Sequence, residues 1–273
     1  NVKITEGYLN NVGLLNLYSV VGSQELTYTR MPVAQAAVAG NISFGARVKN
    51  TGINAQDIVL KMTSGAYDQS SAAVNVTSLM VDTLEVVPAN GFPVPSTIGT
   101  STITGTLITG NTLAFTSDDA ASLKLDVTNN IYAADSYDGT PASLSGSFTG
   151  WQNGVGDAEI GTYFEMFADA SIGAIQIGIA NVSTANQGQY IGKTVRGKIY
   201  EVEGGVATLL DASYEATVSA SSFGNIVNAY MINQLPLEAG KLYLVTAAFS
   251  EGAEVPIAMA GTTIGGSVAG FNG

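Results

Sequence analysis

Histidine and cysteine are both absent from this chain, which removes most of the nucleophilic and metal chemistry open to a protein. A Ser-His-Asp or Cys-His arrangement cannot be assembled without an imidazole base. Zinc lacks its usual nitrogen and sulfur ligands, and no disulfide framework is available. Neither a G-x-S-x-G elbow nor a phosphate-cradling glycine loop on a strand-to-helix turn occurs. Carboxylates remain. A glycosidase needs two of them, and the candidate pairs are Asp118-Asp119, Asp135 with Asp138, Asp157 with Glu159, Glu201 with Glu203, and Glu251 with Glu254. Sugar-cleaving sites also stack rings on several aromatics, and this chain has one Trp. The pairs therefore read as solvated turn and edge residues, no catalytic residue is expected, and a hydrolase fragment is the least favoured reading.

Calcium suits the acidic residues better, because hard oxygen ligands match it. Asp135-Ser136-Tyr137-Asp138-Gly139 sets two carboxylates and backbone carbonyls on one loop, and Asp157 or Glu159 could close the shell. The spacing fits no calcium-loop signature, so a polar seam between domains is the plainer account, and no cofactor is expected beyond this Ca²⁺ option. Trp151, Tyr132 and Tyr137 could form a sugar-binding platform at the same seam, although aromatics at a junction more often pack domains together. Asn41-Ile42-Ser43, Asn75-Val76-Thr77 and Asn181-Val182-Ser183 fit the glycosylation sequon.

Only 12 % of residues are charged, about half the usual share for a soluble domain. Ser, Thr, Asn, Gln and Gly must cover the surface instead, a texture common in secreted β proteins. The net charge of −12, with ten basic residues, disfavours nucleic acid, whose backbone is bound by clustered Lys and Arg. An anionic membrane surface is disfavoured on the same ground. No apolar run of about 18 residues is present to span a bilayer as a helix. The sequence starts at Asn with no signal peptide, which reads as a processed or trimmed product.

The elements that must position these residues are strands. In Phe44-Gly45-Ala46-Arg47-Val48-Lys49-Asn50 apolar and polar residues alternate, and Ile58-Val59-Leu60-Lys61-Met62 alternates again after Thr51-Gly52. This predicts an antiparallel hairpin with Ala46, Val48, Ile58, Leu60 and Met62 inside and Arg47, Lys49 and Lys61 outside. The basic stripe could meet an acidic partner, but charge on a strand more often blocks unwanted pairing. A second hairpin is expected over residues 195–210, with Arg196 and Lys198 out, Val195 and Ile199 in, and Gly204-Gly205 at the turn. Residues 73–76, 79–87, 98–108, 123–127, 160–166, 172–179 and 226–235 read as further strands. The nearly continuous apolar run at 242–249 reads as a central strand covered on both faces.

Many short strands with no convincing amphipathic helix give an all-β protein of two β-sandwich domains. The texture changes to Asp, Ser, Gly, Pro and Thr near residue 132. The expected division is a first sandwich over residues 1–133, a seam or linker over 134–156, and a second sandwich over 157–273. The apolar tail, with Val255, Ile257, Met259, Ile264, Val268 and Phe271, must either finish the second sandwich, which is the default, or pair with another chain by strand addition. Val255, Ile257, Ile264, Val268 and Phe271 are thus the assembly candidates.

Residues 26–52, with Tyr28-Thr29-Arg30-Met31-Pro32-Val33-Ala34-Gln35 leading into the alternating block at 44–52, resemble the immunoglobulin-like module of large secreted Bacteroidota proteins. These are cargo of the type IX secretion system. Tyr132-Ala133-Ala134-Asp135 and Ile160-Gly161-Thr162-Tyr163-Phe164-Glu165-Met166 look like the join to a following jelly-roll module, and Lys198-Ile199-Tyr200-Glu201-Val202 and residues 237–245 are similar to that second module. The resemblance implies an immunoglobulin-like then a jelly-roll-like sandwich, transit through the type IX export machinery, and a place outside the outer membrane. Members carry a C-terminal sorting domain, which is not visible in this sequence. They act as adhesins, surface-layer parts or accessory modules.

The expected function is therefore a non-enzymatic, extracellular structural or adhesive protein of the cell surface. Its expected partners are other copies of itself or other cell-surface proteins, and its polar, uncharged surface is compatible with self-assembly. The alternative is a carbohydrate-binding accessory module that takes glycans at the seam aromatics.

Overall fold

The computed structural model describes residues 8–20, 28–86, 90–134, 140, 144, 146–148, 158–249, 254–259 and 268–272. The protein is all-β, and it divides into two compact units, Asn1–Ala133 and Ala134–Gly273. In the first, the order is β1 (Val12–Val20), β2 (Arg30–Pro32), α1 (Val33–Ala39), β3 (Asn41–Asn50), β4 (Gln56–Ser64), β5 (Tyr67–Ser70), β6 (Val74–Val76), β7 (Val81–Val86), β8 (Phe92–Pro93), β9 (Gly99–Thr109) and β10 (Ala120–Thr128). One sheet runs β1-β3-β7 with β8 beside β3, and the other runs β2-β10-β9-β4-β5 with β6 beside β4. The short β2 lies parallel to β10.

The alternating blocks bury the residues their period assigns. Ala46, Val48, Ile58, Leu60 and Met62 are all wholly buried, while Arg47 is exposed. Each large aliphatic side chain buried in this way contributes about 1.5–3 kcal/mol. The pairing differs from the expected hairpin, however. β3 bonds to β1 and β7, whereas β4 bonds to β9, β5 and β6. The chain therefore arches from one sheet into the other between residues 50 and 56. Period two reports which face of a strand is buried, and strands of two opposed sheets can share one core, so alternation alone does not distinguish an arch from a hairpin. Asn50 holds the arch. Its Nδ2 donates to the carbonyls of Asn54 and Val76, each at 2.8 Å, and its Oδ1 accepts from the Gly52 amide at 2.9 Å.

The second unit contains β11 (Gly146–Phe148), β12 (Ala158–Glu165), β13 (Ala170–Ile179), α2 (Thr184–Gln187), β14 (Thr194–Glu203), β15 (Val206–Ala212), β16 (Ala216–Thr217), β17 (Asn225–Leu237), β18 (Leu242–Phe249), β19 (Ile257–Met259) and β20 (Val268–Asn272). Its sheets run β11-β19-β13-β17 and β15-β14-β18-β12-β20, with β16 beside β14. The expected hairpin is present here. β14 and β15 pair through Gly204-Gly205, whose φ angles of 58° and 81° suit a tight turn that residues with a Cβ resist. Ile175 of β13 packs over Gly197 of β14, which brings the two sheets face to face.

The apolar run at 242–249 becomes β18, flanked by β14 and β12. Its neighbours Tyr243 and Leu244 point to opposite faces and both are buried, as a strand covered on both sides requires. Residues 146–148, inside the stretch expected as a linker, form β11 and pair with β19. No helix among the described residues is long and apolar enough to cross a membrane.

Candidate interaction surface and a buried carboxylate cluster

Most of the sequence-based site candidates fall outside the described residues: Asp135, Asp138, Asp157, Tyr137, Trp151 and Ile264. Tyr132 is described, and it packs on Tyr28 of its own unit, ring centroids 6.0 Å apart. Burial, and then the neighbouring Tyr28, push its hydroxyl above the usual phenol range. Val255 and Ile257 are buried, and Ile257 pairs with β13, so these two assembly candidates are core residues of their own unit. Val268 and Phe271 lie in β20, whose backbone pairs with β12. Among the described residues no three acidic side chains converge to hold a metal.

A small recess lined by Tyr28, Phe44, Phe92 and Ile103 in the first unit has a volume of about 10 Å³. That is room for about one water molecule and not for a substrate.

A different surface emerges at one end of the first unit. Four segments, residues 8–11, 50–54, 77–80 and 114–115, are joined by backbone hydrogen bonds. Ile53 donates to the carbonyl of Tyr8 at 2.9 Å, Gly52 to Asn11 at 3.0 Å and Ala114 to Asn10 at 3.1 Å, and the Met80 carbonyl accepts from Asn50 at 3.0 Å. Side-chain amides complete the lattice. Asn11 Nδ2 donates to Thr51 Oγ1 at 2.8 Å and its Oδ1 accepts from the Phe115 amide at 2.9 Å, while Asn10 Oδ1 accepts from both Asn54 and Gln56.

These segments carry no charged residue and present Tyr8, Leu9, Ile53, Leu79, Met80 and Phe115 to solvent. Leu79 is 68 % exposed and sits at φ +62°, the one non-glycine residue with positive φ among those described. A bulky side chain is disfavoured there by about 1–2 kcal/mol. A strained residue that displays an apolar side chain to water points to a contact role. Single exposed apolar residues need no explanation, but six on one hydrogen-bonded platform do.

The second unit holds a buried ionic cluster. Glu159 of β12 accepts from Lys198 Nζ and from Tyr200 Oη at 3.0 and 2.9 Å, both on β14, and from Thr246 Oγ1 on β18 at 2.8 Å. The side chains of Lys198 and Glu159 are 11 % and 3 % exposed. This corrects the expectation that Lys198 faces out. Alternation places it opposite Val195 and Ile199, but on that face Glu159, itself held by Tyr200 and Thr246, meets the amine and supplies the counter-charge a buried ammonium requires. Gly161 makes the geometry attainable: a Cβ there would lie 2.3 Å from the Val245 carbonyl oxygen and 2.7 Å from Thr246 Cγ2, so any other residue would push β18 away from β12.

Asp119 is the third unusual group. It is 5 % exposed and its Oδ1 has no hydrogen-bond partner. Burial, and secondarily the charge of Asp118, raise its carboxyl above the usual range. Neither Asp119 nor Glu159 lines the recess near Tyr28 and Phe44. Compared with known proteins, the sequence matches no family model and no curated protein.

Proposed function

We propose that the protein is a non-enzymatic, extracellular structural and adhesive protein that works by contact through the loop end of its first unit. The observation that carries this reading is the platform of Tyr8, Leu9, Ile53, Leu79, Met80 and Phe115, apolar, uncharged and built around a strained leucine. Such a surface favours an apolar protein partner, which we take to be other copies of the chain or neighbouring surface proteins. Export by the type IX system, and the division into an immunoglobulin-like and a jelly-roll-like sandwich, are supported by the resemblance of residues 26–52, 132–135, 160–166, 198–202 and 237–245 alone. Sedimentation velocity over a range of concentrations, with electron microscopy of the same samples, tests the self-contact reading. Concentration-dependent assembly that Leu79→Asp abolishes is the expected result, and monomers at every concentration would overturn it.

A carbohydrate-binding role is the second reading. It is favoured by the Tyr8–Phe115 ring pair on a platform that also carries the bonded amides of Asn10 and Asn54, since aromatic faces and amides together suit sugar rings. A glycan array on the intact protein, with and without calcium, separates the two: glycan binding lost in Phe115→Ser supports this reading, and an empty array removes it.

A further inference from the structure

The Glu159–Lys198 pair brings a primary amine against a carboxyl group in a dry place, and nothing in the contact surface requires it. We propose that the two side chains condense into an amide, a covalent staple between β12 and β14 that crosses the central strand β18. Four observations carry this. Amine and carboxyl are in direct contact and both are buried. The pair is held by strands that flank β18 in fixed register, Glu159 opposite Ala248 and Lys198 opposite Thr246, so reactants stay together for as long as the fold persists. Tyr200 donates toward both carboxyl oxygens and Thr246 to Oε2, which places hydrogen-bond donors where negative charge develops when the carboxyl carbon is attacked. Finally, burying two full charges is unfavourable, and condensation removes both.

The step balances without any co-reactant. The Lys198 ammonium passes a proton to the Glu159 carboxylate, leaving amine and carboxylic acid. The nitrogen lone pair attacks Cδ and the C–N bond forms. One Cδ–O bond then breaks, and that oxygen leaves as water with the second proton from nitrogen. Nothing is oxidised or reduced. In a chain without cysteine, this would be its means of covalent cross-linking.

The test is the intact mass of the purified, folded full-length chain after denaturation. The expected result is a protein lighter than its sequence by one water, with a branched proteolytic peptide that joins the Lys198 and Glu159 segments. In Lys198→Arg, which keeps the charge but cannot condense in this way, the full sequence mass should return. A wild-type mass equal to the sequence overturns the proposal, and needs no variant to fold. A mass deficit that persists in Lys198→Arg also overturns it, because the lost water then comes from elsewhere in the chain.

Discussion

Tyr8 stands edge-on to Phe115, ring centroids 4.8 Å apart and planes at 86°, and both rings remain close to half exposed. Edge-to-face pairs of this kind are worth about 0.5–1.5 kcal/mol, so the two rings organise one corner of the apolar platform while leaving their outer faces open. Replacing Phe115 with Ser should therefore weaken association markedly and lower the stability of the first unit by no more than about 1.5 kcal/mol. Sedimentation and chemical denaturation of the same variant separate the two effects. Unchanged association would remove the platform from the contact.

Leu79→Asn should pull stability and association in opposite directions. Asn tolerates the left-handed region that Leu resists, so the variant should be as stable as the parent or more so, by up to about 1 kcal/mol. Association should fall, because an exposed leucine is lost. A variant that is both less stable and less associated would place Leu79 in the packing of its own unit.

Asn50→Ala removes three hydrogen bonds to the backbone of Gly52, Asn54 and Val76. At about 1 kcal/mol for each lost bond, the first unit should lose about 3 kcal/mol. Denaturant titration would show it as a lower midpoint. A loss under about 1 kcal/mol would mean that other bonds hold the arch.

Asp119 should make the protein less stable at neutral pH than it need be. Its carboxyl is raised above the ordinary value, so the folded state favours the protonated form. The contribution is fully present below the unfolded pKa and is lost as pH rises through the folded one. Asp119→Asn, which cannot ionise, is expected to melt higher than the parent at pH 7, with the advantage gone near pH 3. A lower melting temperature at pH 7 would show that the carboxylate has a partner in solution.

Tyr67 should mark the alkaline limit of the first unit. Its hydroxyl donates to the Asn90 carbonyl at 2.8 Å, and burial pushes its pKa from 10.0 up to about 12. The neutral phenol is favoured by the fold, so its contribution is intact below pH 10 and falls away as pH rises toward 12. Melting curves across that window should decline less steeply in Tyr67→Phe. The remaining slope is expected from Tyr132, raised in the same direction by burial.

The faces of the strands were legible from the residues alone. Ala46, Val48, Ile58, Leu60 and Met62 are buried where period two puts them, Gly204-Gly205 turns the chain, and the run at 242–249 is a central strand. The candidate surface was not legible. Tyr8, Ile53, Leu79 and Phe115 come from four separate segments, and each taken singly is an ordinary apolar residue next to a turn. The sequence pairs Glu159 with Asp157 as neighbouring acids, yet its partner in the fold is Lys198, 39 positions away.

Sequence alone thus determined that this chain builds sheets, which side of each strand is dry, and that imidazole and thiol chemistry are closed to it. Tertiary structure decided which strands pair, whether a turn becomes a hairpin or an arch, and whether a lysine on the polar face meets water or a carboxylate. The reason is physical. Side-chain alternation is a local property of an extended backbone, whereas register, burial of the second face and the meeting of distant side chains depend on which other strands arrive alongside.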